Sequence, residues 1–412
     1  MTRAAPLGRA FWTVLSASAV DGLGDGALAA ALPLLTASLT HDPVLVSFVS
    51  AAAYLPWLLI SLPAGAIVDR ADHARVMWIS QLGQALVVAA LAIVIAAGAA
   101  SIPLVIAAAF LVGVGEVMFG NASQSILPSV VQLEQLPRAN GRLNIVQTVS
   151  QSFAGPPLGS VLFVAAAALP FGLDAATFAA SAALIMTMPR RVGTPSAPRI
   201  SLRRSIAEGL RYLASHRLLR TLAVVLGLNN LAGTLGTATV VLFATRTLGM
   251  SEQLFGTLFL GSAVGAVVGG LVAPTVVRVL GELPSIIIGA AIIAAPYLAA
   301  GFVTDGFQLA ALLAVVGFAV VLWNVVTVSL RQRIVPSSLL GRVNSVYKMI
   351  GWGLIPVGAV FGGWVAATWG LRAPLPVAGG IRILVLMVAL PSLIGGMRAL
   401  RETGPDADTQ QP

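Results

Sequence analysis

The chain is expected to be an all-α membrane protein, with about twelve transmembrane helices in two pseudo-symmetric six-helix bundles. Three observations predict this. Only 9% of the 412 residues are charged and 58% are hydrophobic. A soluble domain carries roughly 25% charged residues, so this chain has too little charge to keep its surface in water. Second, the apolar residues fall into twelve segments of spanning length. Third, the basic residues sort to one side of those segments.

A spanning helix needs roughly 20 mainly apolar residues. Such segments are expected at 11–39, 44–68, 76–99, 102–127, 143–169, 171–189, 219–246, 254–279, 284–304, 306–329, 343–369 and 374–398. The first is too long for the apolar core of a cleavable leader and carries Asp21 and Asp25, so it is expected to remain as a span. Breaks between segments carry turn formers, such as Asp305-Gly306. The 42 glycines suit close helix packing in lipid.

Orientation follows from Lys and Arg. With a cytoplasmic N-terminus, twenty of the 24 basic residues fall in inside segments. Outside loops hold Arg246 and Arg372, while Lys348 and Arg382 fall within spans. The net charge of +9 is therefore a topology signal. A nucleic-acid partner would want a contiguous basic face with stacking aromatics, and none is visible. Both termini are expected in the cytoplasm of a cell (inner) membrane protein.

The expected organisation is an N-terminal bundle over 1–189, a cytoplasmic linker over 190–218, a C-terminal bundle over 219–398 and a tail over 399–412. In the linker, Leu202, Ile206, Leu210 and Leu213 recur at helical spacing among arginines. This reads as an amphipathic helix. It either lies on anionic headgroups or packs on the protein's own cytoplasmic face. A repeat supports the two halves: Gly141-Arg142-Leu143-Asn144 matches Gly341-Arg342-Val343-Asn344, and Pro156 matches Pro356. Parallel six-helix repeats are a recurrent transporter plan.

Ionisable residues inside spans point most sharply to a site. An aspartate at the bilayer centre costs roughly 2.5–3.5 kcal/mol on insertion scales, so such groups usually border a wet cavity or a partner. Asp21 and Asp25 lie one helical turn apart on one face. Glu116 lies at a depth similar to Asp25. Facing one another across the N-terminal bundle, these carboxylates would form a proton-binding or cation-binding site. Alternatively, with Gly22, Gly24 and Gly26 around them, one aspartate caps a broken helix. Asn121 and Gln124 in span four could orient substrate or serve as interhelical hydrogen-bonding glue. Asn229, Asn230 and Asn324 are candidate neutral lining groups of the other half. Lys348 and Arg382 are expected to snorkel to the interfaces rather than pair with a carboxylate. Trp12, Trp57, Trp364 and Trp369 fit interfacial anchoring or core packing.

Two loops carry motifs. After span two stands Gly65-Ala66-Ile67-Val68-Asp69-Arg70-Ala71-Asp72-His73-Ala74-Arg75. Gly65 allows close helix approach, and Asp69 at a helix end can pair with arginine or cap a neighbouring helix. This resembles motif A of the major facilitator superfamily at Gly65, Asp69, Arg70 and Arg75, with His73 and Ala74 where the family often has basic residues. In span five, Gly155-Pro156-Pro157-Leu158-Gly159 resembles motif C of the exporter and antiporter branches. The proline removes a backbone hydrogen bond and bends the helix. Glu208-Gly209-Leu210-Arg211-Tyr212-Leu213 resembles the drug- and siderophore-exporter branch.

The resemblance implies a proton-coupled secondary transporter that exports amphipathic small molecules by alternating access, as a monomer. Asp69, Arg70 and Arg75 would gate it. Uptake, lipid flipping or a non-transporting sensor on the same scaffold are the alternatives. No cofactor is expected. The chain has no cysteine, which excludes thiolate metal sites and cysteine nucleophiles. There is no phosphate-cradling glycine loop for ATP, and His41, His73 and His216 fall in loops without clustering.

Overall fold

The computed structural model describes residues 7–68, 71–132, 135–188 and 202–402. The N-terminal half contains α1 (Arg9–Leu39), α2 (Pro43–Val68), α3 (His73–Ala96), α4 (Ile102–Val130), α5 (Leu136–Gln147), α6 (Gly155–Ala165) and α7 (Leu169–Met186). A connecting helix α8 (Leu202–Ser215) leads to α9 (Arg217–Thr237), α10 (Val240–Leu242), α11 (Glu252–Phe255), α12 (Thr257–Leu280) and α13 (Glu282–Ala299). The chain then runs through α14 (Gly306–Ile334), α15 (Ser337–Gly353), α16 (Ile355–Trp369) and α17 (Pro374–Glu402).

Among the described residues, eleven helical segments are long and apolar enough to cross a membrane. The twelfth crossing is broken and so falls outside that set. It is assembled from α5, a π-helical turn over Thr148–Ala154, and α6, of 12, 7 and 11 residues. The break has a chemical cause. Pro156 and Pro157 lack N–H groups, so the carbonyls one turn earlier lose their partners. The backbone widens instead, and the Gly155 N–H reaches back to the Ser150 carbonyl. Elsewhere the expected spans match to within a few residues, and the fifth starts earlier, at Leu136. Asp305 caps α14, its Oδ1 accepting from the Gln308 N–H at 2.9 Å. His73 opens α3 rather than sitting in a loop.

The two halves repeat one packing scheme. In the first, α1 packs on α6 and α7, and α7 on α3; in the second, α9 packs on α16 and α17, and α17 on α13. Glycines make the matching close contacts. A Cβ on Gly155 or Gly159 would collide with the α1 backbone at Gly26 and Ala27, and one on Gly358 or Gly362 with the α9 backbone at Leu231 and Leu235. Small residues of this kind let helix backbones approach in lipid.

The apolar core differs between the two ends of the molecule. At the distal end, opposite the chain termini, one cluster is continuous across both halves, joining Leu34, Val46 and Phe163 to Leu235, Phe243 and Phe255. At the terminal end it divides. Val14, Met77 and Ile126 belong to one cluster, and Leu218, Leu330 and Leu393 to another. Gly363 sits on Ser47 and Pro43, and Gly256 on Pro156 and Ser160, closing the distal seam without side-chain gaps.

Helix α8 packs on the protein's own face. Glu208 pairs with Arg342, Tyr212 Oη donates to the Ile334 carbonyl at 3.0 Å, Leu213 is buried, and Gly209 abuts the Arg342 backbone. Leu210 is exposed. The rest of the expected linker before α8, the side chains of Leu202 and Ile206, and the tail from 403 lie outside the described residues.

Candidate functional site

The site is organised by α1, which runs unbroken through its glycines. They bring it against its neighbours rather than interrupt it, so neither aspartate caps a broken helix. An added Cβ at Gly22 would meet Ser150, at Gly24 Asp174 and Thr177, and at Gly26 Gln151 and Gly155. Four carboxylates gather as a result. Asp21 is buried, and its Oδ1 accepts from Gln81 Nε2 at 2.7 Å. Asp25, one turn on, is half-buried and lies within electrostatic reach of Glu116, Asp21 and Asp174. Glu116 on α4 is half-buried. Its Oε1 accepts from Gln84 Nε2 at a long 3.4 Å, and the same amide reaches the Val112 carbonyl at 3.4 Å.

Asp174, on α7, is fully buried at 0% exposure, and neither carboxyl oxygen has a hydrogen-bond partner among the described residues. Among those residues no arginine or lysine forms an ion pair with any of the four. Nor does any group of three or more His, Cys, Asp or Glu form a metal-holding arrangement there.

The structure thus brings Asp21, Asp25 and Glu116 together, as the sequence suggests, and adds Asp174, Gln81 and Gln84. From the sequence Asp174 is an acid near a helix end, and what buries it is the close approach of Gly24 on α1. The helix begins at Leu169. The glycine-aspartate run on α1 was a usable signal, since such close backbone approach needs a specific neighbour.

Aromatic rings adjoin the acids. Trp57 stacks on Trp352 of the other half with centroids 5.1 Å apart, and Tyr54 lies 6.4 Å from Trp352. Trp57 touches Gly120, one turn from Glu116, and Tyr54 interacts electrostatically with Glu116. Trp57 is therefore a contact between halves rather than an interfacial anchor.

The remaining candidates are more dispersed. Asn121 Nδ2 donates within its own helix to the Val117 carbonyl at 2.8 Å. Gln124 Oε1 accepts from Lys348 Nζ at 3.0 Å, a bond between the halves that replaces the expected snorkelling of Lys348. Asn230 Nδ2 donates to the Gly351 carbonyl at 2.8 Å. Asn229 Oδ1 accepts from Arg382 Nη1 at 3.2 Å. Arg382 is only 6% exposed and does not snorkel. Asn324 is exposed on α14. Gly155, Pro156 and Gly159 are buried at the α1 contact and the distal seam. Of the loop after α2, Asp69 and Arg70 lie outside the described residues. Gly65 has open space where a Cβ would be, and the Arg75 N–H donates to Asp72 Oδ1 at 3.1 Å.

Comparison with known proteins bears on what this arrangement does. The family model described as transmembrane secretion effector matches residues 1–407. The multidrug efflux pump Tap of Mycolicibacterium fortuitum is 26% identical over 408 residues, covering 94% of each chain. The enterobactin exporter EntS of Salmonella paratyphi A is 25% identical over 319 residues, 73% of each. Among solved structures, a bacterial homologue of the iron transporter ferroportin in its inward-facing state superposes with a TM-score of 0.76 at 16% identity. That match covers 94% of this chain and 100% of the other. The nucleoside transporter NupG gives 0.77 at 13% identity, covering 93% and 100%.

Proposed function

Because the chain belongs to the transmembrane secretion effector family of major facilitator transporters, we propose that it exports amphipathic small molecules by alternating access, driven by proton entry. It is a multi-pass membrane protein and a transporter, not an enzyme. Four interior carboxylates without a basic partner among the described residues carry the proposal, two of them, Asp25 and Glu116, only half-buried. An ionised carboxylate in hydrocarbon is costly, and a proton relieves that cost. Asp25 and Glu116, on facing helices and in electrostatic contact, are the pair that shares the proton. Asp21 and Asp174 behind them make a second negative charge unfavourable. Protonation removes one of the pair's two negative charges and allows the halves to rock; proton release restores that charge and holds the cavity wet.

With both termini cytoplasmic in the inner membrane, the divided core faces the cytoplasm. The continuous distal core is then the periplasmic seal, and substrate is loaded from inside. Relatives named as a multidrug efflux pump and an enterobactin exporter favour this direction. Asp69, Arg70 and Arg75 act as the cytoplasmic gate, and the α5–α6 break is the point at which the fifth span flexes. The 1–189 and 219–398 units move as the two rocking bodies of a monomer.

The test is flux in proteoliposomes carrying the full chain, with lipophilic cations, antibiotics and siderophores supplied with and without an imposed pH gradient. Wild-type flux rises with the gradient. Asp25→Asn or Glu116→Gln lowers the gradient-dependent part by about 100-fold or more, the lower end of what a positioned proton-transfer group contributes. Full gradient-driven flux in the double variant overturns the coupling assignment.

A further inference from the structure

The charges of the membrane interior are segregated between the halves. Between Arg217 and Glu402 the acidic residues are Glu252, Glu282, Asp305 and Glu402, all at helix ends. The same half buries Arg382, well inside α17. In the repeated scheme, α17 stands to α9 and α13 as α7 stands to α1 and α3. Arg382 therefore lies on the helix that corresponds to the one carrying Asp174.

Its surroundings hold the guanidinium without neutralising it. Nη1 donates to Asn229 Oδ1 at 3.2 Å, and Cζ lies 4.5 Å from the centroid of the Tyr297 ring. Nε is buried without a hydrogen-bond partner among the described residues. Nη2 lies against Gly233, where an added Cβ would come within 2.7 Å of it. Gly233 is half-exposed, and having no side chain it lets the guanidinium lie directly against the α9 backbone, so that Nη2 is approached past Gly233. Nε and Nη2 form one edge of the arginine fork, the edge that pairs with both oxygens of a carboxylate. Arginine stays charged in proteins, and a buried charge without a counter-ion is costly. Ionisable residues inside membrane spans commonly mark a substrate path.

We propose that Arg382, approached past the half-exposed Gly233 and steadied by Asn229 and Tyr297, is the subsite that takes the carboxylate of an amphipathic substrate. The proposal rests on the chain acting as a small-molecule transporter and narrows the substrate class. Such a substrate places its acid in the C-terminal half and its apolar or cationic part toward the aromatic rings and carboxylates of the other.

The test uses two dyes that differ by one methyl group. Rhodamine 110 has a free carboxylate, and rhodamine 123 is its methyl ester. Binding to the purified full chain in nanodiscs is read by fluorescence polarisation at fixed pH. The wild type is expected to bind the carboxylate dye about 10-fold more tightly than the ester. Arg382→Gln and Gly233→Ala are both expected to bring that ratio to about one. Gly233→Ala keeps the arginine and sets a methyl group against Nη2, so it decides the matter even if Arg382→Gln does not fold. Equal affinity for the two dyes in the wild type, no binding of the carboxylate dye, or a preference that survives either folded variant overturns the proposal. No gradient is imposed, so a transporter that is not proton-coupled still shows the ratio, and failure of the coupling reading is distinguishable.

Discussion

Asp21 and Asp174 lie in the same buried acidic cluster, yet only Asp21 receives a hydrogen bond, the 2.7 Å donation from Gln81. Removing a donor from a buried acceptor costs about 1–3 kcal/mol, whereas a group without partners loses nothing when its charge is removed. Gln81→Leu is therefore expected to lower thermal stability in detergent by that amount, while Asp174→Asn holds or raises it. Melting of both variants, followed by size-exclusion chromatography after heating, checks this. A fall in Asp174→Asn as large as that in Gln81→Leu would show that Asp174 has a partner after all. At this scale the sequence was readable where an acid stood mid-span, as at Asp25 and Glu116, because composition alone makes such a residue conspicuous. Gln81, Gln84 and Trp352 could not be singled out in the same way. Polar and aromatic residues in spans are common, and their importance comes from what lies across the helix interface.

Among helices, the contact between α1 and α6 explains a motif that sequence reading could only take as a bend. The prolines open the π-helical turn, and the glycines set the spacing. An added Cβ at Gly155 would stand 2.5 Å from Gly26 Cα and 2.8 Å from Gly26 C, both backbone atoms that cannot swing aside. Overpacking of this kind costs about 1–3 kcal/mol or more. Gly155→Val is expected to lower the melting temperature by several degrees and to reduce transport. Gly141→Ala is the control, since nothing lies within 4 Å of its added Cβ and the position is helical and exposed. Removing the flexibility of a helical glycine stabilises by about 1 kcal/mol. Equal effects of the two changes would contradict the packing argument. Element positions were legible because spanning length and turn residues are written locally. The docking of α8 was not, because an amphipathic face fits a headgroup layer and a protein surface equally well until Glu208 is seen to meet Arg342.

For the whole molecule, the number of crossings, their pairing into halves and the bias of positive charge all follow from a linear reading. The conformational state does not, since one sequence must fit both an open and a closed end. The core supplies that information by being continuous at the distal end and divided at the terminal end. If alternating access operates, the distal seam must part in every cycle, and a covalent tie across it must stop transport. The chain has no cysteine, so a pair can be introduced without background. Ala51 on α2 and Ala359 on α16 already carry a Cβ and belong to one buried cluster that spans the halves. Ala51→Cys combined with Ala359→Cys is expected to cross-link under mild oxidation and to lose nearly all flux, with recovery on reduction. Each single substitution should transport whether oxidised or reduced. Undiminished flux through a fully cross-linked pair would mean that the distal seam never opens, and the two-bundle rocking cycle would have to be abandoned.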